Sequence, residues 1–96
     1  MTAPARRCRL DGRSRTRAAL LARIARELGF PAHFGGNLDA LFDVLTTDLA
    51  GPIEIVWRGG RERIAADPEL GPVLATLEAA AAARPDLRLE LPEPPG

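Results

Sequence analysis

The segment Ile53-Glu54-Ile55-Val56-Trp57, enclosed between Gly51-Pro52 and Gly59-Gly60, constrains this chain more than any other feature. Four of its five residues are apolar, so it reads as a strand with both faces at least partly buried, the kind that lies inside a helix-covered sheet. What surrounds it supplies the cover. Upstream, residues 6–10 fit a short strand and Asp11-Gly12 marks a turn. From Thr16, an N-cap, Leu20, Leu21, Ile24 and Leu28 recur at helical spacing until Gly29 and Pro31 stop the helix. Downstream, residues 61–66 fit one short helical turn. Asp67-Pro68 then opens a helix in which Leu70, Val73, Leu74 and Leu77 lead into the alanine run 79–83. Pro72 complicates that start, because inside a helix it removes a hydrogen bond and clashes with the carbonyl four residues back; the regular helix begins either at Pro68 or only near Gly71, and either start leaves the same core face. Leu87, Leu89 and Leu91 alternate with Arg88 and Glu90 as a half-buried strand does. The order β, α, α, β, short α, α, β implies an α/β fold, a three-stranded parallel sheet packed against helices.

The second helix carries the most information. Residues 30–36 contain Pro31 and the pair Gly35-Gly36 and form a loop that delivers the chain to Asn37, a favourable N-cap. Leu38, Leu41, Phe42 and Leu45 follow at i, i+3, i+4 and i+7, the apolar stripe of an amphipathic helix over residues 37–47. Asp39, Asp43 and Thr46 form a second stripe that faces outward or sideways. Asp39 and Asp43 lie one turn apart with no basic neighbour four residues away, so by themselves they repel by a few tenths of about 1 kcal/mol. The bland account is that Asp39 gains from the helix dipole and Asp43 is merely solvated; the alternative is that both acids serve a partner.

At 96 residues the chain supports one small core, which excludes a multi-part enzyme and leaves one domain over 1–96 with loose ends at about 1–5 and 92–96. A single cysteine, Cys8, permits neither an internal disulfide nor a cysteine-rich zinc site, and reads as a small buried hydrophobe. The longest apolar run is too short to cross a bilayer and the first nine residues lack a secretion signal. The expected compartment is the cytoplasm, with no membrane contact.

Thirteen basic and thirteen acidic side chains cancel to a net charge of zero, but they are segregated along the chain. Residues 1–26 carry eight arginines against Asp11 alone, +7, and the remainder carries −7. Between Arg26 and Arg58 the only basic residue is His33, whereas Glu27, Asp39, Asp43, Asp48 and Glu54 all fall there. That window is anionic. The set available for catalysis (Cys8, Ser14, His33, a few threonines and the acids) lacks a nucleophile with supporting groups, and His33 with Asp39 lacks the ligand count of a metal site. No phosphate-binding glycine loop is present. The chain is therefore read as having no catalytic residue, metal or cofactor. Arginines between residues 6 and 26 offer phosphate contacts, so a nucleic-acid-binding module is an alternative reading. The −7 of the rest opposes it. So does the shortage of aromatics for stacking, since Phe42 and Trp57 are expected in the core.

The stretch His33-Phe34-Gly35-Gly36-Asn37-Leu38-Asp39-Ala40-Leu41-Phe42-Asp43-Val44-Leu45-Thr46 resembles the signature of the barstar family of ribonuclease inhibitors. The likeness extends to residues 28–31 and 52–58, and the element order agrees over roughly residues 6–91. What the resemblance implies is a protein, monomeric when free, that occludes the active site of a small basic ribonuclease or nuclease toxin domain. It places His33, Phe34, Gly35, Asn37 and Leu38 as loop and helix-start contacts, Asp39 and Asp43 as the two central acids, and Thr46 as a peripheral contact. A cleft built from cationic side chains for a phosphodiester accepts a rigid carboxylate. The chain departs from the family pattern at His33 in place of an aromatic tyrosine, at Gly36 in place of an acid, and at Ala79 and Ala83 in place of glutamates. Those departures imply a different nuclease or weaker binding; an interaction domain with an unrelated partner is the remaining alternative.

Overall fold

The computed structural model describes residues 6–12, 14 and 16–93. Three parallel strands, β1 (Arg6–Leu10), β2 (Ile53–Trp57) and β3 (Leu87–Glu90), stand side by side in chain order, so β2 is central as its apolar run implied. Between β1 and β2 lie α1 (Arg17–Leu28) and α2 (Leu38–Asp43), the latter continuing into a π-helical turn, Val44–Asp48. Between β2 and β3 lie α3 (Gly60–Ala66), a 3-10 turn (Pro68–Leu70) and α4 (Gly71–Ala83).

Register explains the two faces of the sheet. Cys8 and Leu10 stand against Ile55 and Trp57, and Ile53 and Ile55 against Leu87 and Leu89, which gives one apolar face. It packs with Leu20, Leu21, Ile24 and Leu28 of α1, Leu41, Val44 and Leu45, and Val73, Leu77 and Ala80 of α4. Each large side chain so buried contributes about 1.5–3 kcal/mol. The opposite face carries the rows Arg7–Glu54–Arg88 and Arg9–Val56–Glu90. Parallel sheets are usually covered on both sides. Here Arg7, Arg9, Arg88 and Glu90 are exposed, and charges of mixed sign make a solvated face tolerable, with Arg7 Nε 3.6 Å from Glu54 Oε1.

The helix ends follow local chemistry. Thr16 Oγ1 accepts the Ala19 N–H at 3.0 Å, and Gly29, at φ 69°, closes α1 by donating to the Ala25 carbonyl. Asp67 makes no side-chain cap; Pro68 opens the 3-10 turn, and Pro72 falls in the first turn of α4 where its missing N–H is not needed. A cis Gly51-Pro52 bond leads into β2. Two expectations change. Phe42 is half-buried at the rim of the core rather than within it. The expected loose end at 92–96 is anchored at Pro92, whose carbonyl accepts the Gly59 N–H at 3.2 Å. The expected loose ends over 1–5 and 94–96 lie outside the described residues.

Alternation along β1 turns the Arg9 N–H and C=O away from β2, because the Arg6 N–H and the Leu10 carbonyl bond to that neighbour. Helix α1 meets both groups. Glu27 Oε1 accepts the Arg9 N–H at 3.0 Å and Arg23 Nη2 donates to the Arg9 carbonyl at 3.3 Å, while Arg23 Nε and Glu27 Oε2 are joined at 2.7 Å. A side-chain pair thus closes an open sheet edge. Burial pushes the Glu27 carboxyl up, but the Arg9 and Arg23 hydrogen bonds outweigh it and hold the group below its ordinary value.

Candidate partner-binding surface

Asn37 Oδ1 accepts the Ala40 N–H at 2.7 Å and starts α2, a cap that contributes about 1 kcal/mol. Two glycines before it make that geometry accessible. Gly36 lies at φ +71°, where other L residues are strained, and a Cβ on Gly35 would come within 3.3 Å of Asn37 Nδ2. Leu41 points into the core, Leu38 and Phe42 pack at its rim, and Asp39 and Asp43 are exposed one turn apart. Neither acid has an ion pair or hydrogen bond among the described residues.

Beyond Asp43 the helix widens. The Leu49 N–H reaches back five residues to the Val44 carbonyl, at 3.0 Å. Each residue of such a turn advances through less than the ~100° of an α-helix. Thr46, expected on the stripe of Asp39 and Asp43, is therefore turned aside: it is half-buried, and its hydroxyl donates to the Phe42 carbonyl at 2.7 Å. Thr47 and Asp48 are the exposed residues of the turn. Sequence spacing did not anticipate the exposure of Thr47 because it assumed one helical period throughout, and Leu49, buried at i+4 from Leu45, fits that period equally well.

The loop folds against this turn. Phe30 and Phe34 meet edge to face, with centroids 4.9 Å apart and planes at 86°, and the Phe34 N–H donates to the Pro31 carbonyl. His33, 77% exposed, brings Nε2 to 3.8 Å from Asp48 Oδ2, whose side chain is 42% exposed. Asp48, rather than the Asp39 considered with His33 as a metal-site candidate, is the carboxylate beside this imidazole. All eight expected contact residues lie on the loop or the α2–π segment, with Phe34, Leu38 and Thr46 half-buried and the other five exposed.

Two arginines fasten the far end of this segment, and neither was foreseen. Arg84 Nη1 donates to the carbonyls of Leu45 and Leu49, each at 2.7 Å, while Nε and Nη2 fork onto the Asp86 carboxylate at 2.7 and 2.9 Å. The fork holds the Asp86 carboxyl below its usual range and raises the guanidinium. Arg6 donates to the Ala50 and Leu28 carbonyls at 3.1 and 3.0 Å.

Arg6 belongs to a wider pattern that bears on nucleic-acid binding. Arg17 donates to the Glu69 carbonyl, Arg23 is engaged by Glu27, Arg9 and Asp11, and Arg7 by Glu54. Much of the N-terminal positive charge therefore tethers β1 and α1 to the rest of the fold; Arg13 and Arg15 lie outside the described residues. A crevice of about 420 Å3 at the carboxyl ends of β1 and β2, lined by Asp11, Arg58, Glu62 and Arg63, lies apart from the acidic helix. Among the described residues no group of three or more His, Cys, Asp or Glu could hold a metal ion, and no helix is long and apolar enough to cross a membrane. Ala79 and Ala83 are exposed on α4, which packs beside α2.

The three-stranded parallel sheet with its helices is an α/β scaffold that sets two carboxylates, unpaired among the described residues, on a capped helix next to a glycine-shaped loop. The chain belongs to the barstar family, whose family model, described as Barstar (barnase inhibitor), matches residues 5–91. Proteins of this family are inhibitors rather than enzymes, and this chain is not an enzyme; the family implies a ribonuclease partner in general. No curated protein matches the chain.

Proposed function

We propose that this protein is a cytoplasmic inhibitor, of the immunity type, that blocks the active site of a small basic ribonuclease with α2 and the loop before it. The observation that carries this reading is the pair Asp39 and Asp43, exposed, without partners among the described residues, and held on a helix whose start is fixed by Asn37. A phosphodiester cleft presents Arg, Lys and His; a pre-positioned carboxylate can accept several of their hydrogen bonds at once. His33, Phe34, Gly35 and Leu38 would border that contact, and Thr46 would stand at its edge. On α4, Ala79 and Ala83 stand in place of acids and the exposed Glu78 is the helix's one charged residue.

Isothermal calorimetry and RNA-cleavage inhibition against a panel of barnase-type ribonucleases test the proposal. Binding to at least one member is expected, with Asp43→Ala weakening it by about 2–5 kcal/mol, the loss when one member of a buried charge pair is truncated. An unchanged affinity for Asp43→Ala would remove the central contact. RNA binding by the chain near 0.1 M salt, lost when Arg6, Arg7 and Arg9 are replaced together, would favour the nucleic-acid reading instead.

A further inference from the structure

We infer that Arg84 is a positioning residue for the inhibitory surface, acting on the partner through the π turn without touching it; this rests on the reading just proposed. The last carbonyls of any helix lack intrahelical donors, and π geometry gives poorer hydrogen bonds than α. In this chain the helix bearing Asp39 and Asp43 is six residues long and runs straight into that weaker turn. Asn37 fixes its beginning. At its end no glycine cap is present: Leu49 is extended at φ −90° and ψ 130°.

Arg84 supplies the missing donors from the loop between α4 and β3. Its side chain is 14% exposed, and one nitrogen, Nη1, joins the carbonyls of Leu45 and Leu49 across the turn. The bidentate Asp86 contact stops the guanidinium from rotating away. Gly51 completes the arrangement, since a Cβ there would fall on the Asp86 carboxylate and within 2.6 Å of Arg84 Nη2. The π turn, the loop before β2 and the loop before β3 are thereby locked by one planar group. A lysine offers three donors on a flexible stem and cannot reproduce both the carbonyl bridge and the fork. Because binding by a preset surface avoids the ordering cost that a mobile one incurs, the lock on Leu45 and Leu49 bears on how well Asp43, two residues before Leu45, is presented.

The test has two arms. In the free protein, amide hydrogen exchange in Arg84→Met is expected to accelerate at Leu49, whose N–H closes the π turn, while the β2 amides keep their protection. Unchanged exchange at Leu49 overturns the lock. In the second arm, dissociation is timed from whichever barnase-type ribonuclease the wild-type chain binds most tightly, using variants shown by circular dichroism to be folded. Arg84→Met is expected to raise the off-rate about tenfold, equivalent to ~1.4 kcal/mol, with Arg84→Lys intermediate. In an Asp43→Ala background the same change is expected to have less than about a twofold effect, since coupled sites are not additive. An unchanged off-rate, or a full effect in the Asp43→Ala background, would show that Arg84 serves stability alone. If the wild-type chain binds no ribonuclease, the inhibitor reading falls and takes the positioning role with it, and the exchange arm still decides whether the lock exists.

Discussion

Replacing Glu27 by glutamine probes the seal on the edge of β1. The glutamine keeps the shape and one acceptor for the Arg9 N–H but loses the charge that faces Arg23. Hydrogen bonds to charged groups contribute about 1.5–3 kcal/mol each. Glu27 and Arg23 are both 26% exposed in their side chains, so water recovers part of the loss. We expect a destabilisation of about 1–2 kcal/mol near pH 7, read from urea unfolding. The pH dependence follows from the depressed carboxyl. Its contribution is complete above the unfolded value of 4.5 and disappears as pH falls through the lower folded value. The gap between wild type and variant should therefore narrow as the pH falls below 4.5. A gap that stayed unchanged there, or none near pH 7, would refute the assignment. Replacing Arg23 and Glu27 together by alanine should also make the protein associate with rising concentration in light scattering, since the Arg9 N–H and C=O would then be open to another strand.

Two further outcomes follow from the core. Burial first, and the neighbouring Glu27 second, push the Cys8 thiol up to about 12, so native protein should resist thiol reagents that label the unfolded chain at once. Its thiol stays protonated when folded, so stability should fall by up to about 1.4 kcal/mol per pH unit above about pH 9, a slope that Cys8→Ala removes; equal labelling of both states would refute this. Gly60→Ala should destabilise by about 1–3 kcal/mol, because the new methyl would stand 2.8 Å from the Trp57 ring and 3.1 Å from Leu91 Cδ2. An unshifted melting temperature would contradict that packing.

Much of the fold was legible because its signals are local. Thr16, Gly29, Asn37 and the apolar periods around them act within a few residues, and the structure repeats them as capped helices. The central strand announced itself through Ile53, Ile55 and Trp57, buried on one face, and Val56 on the other. The outward acids were legible for the same reason. What stayed hidden depends on contacts between distant parts of the chain. Arg84 bonds Leu45, 39 residues away, and Arg17 bonds Glu69, 52 residues away. A count of charges saw eight N-terminal arginines as a surface, whereas several of them hold the chain together. Thr46 and Thr47 were hidden by a different cause: nothing in a run of threonines states that the helical period is about to lengthen.

That lengthened turn gives the molecule an adjustable phase. A π turn holds one residue more than the α turn it replaces, so deleting one residue between Leu45 and Leu49 is expected to restore α winding and change the direction in which residues 46–48 project. Under the proposed function, the face that meets a ribonuclease would then be rotated by the loss of a single codon, with the sheet as the fixed scale.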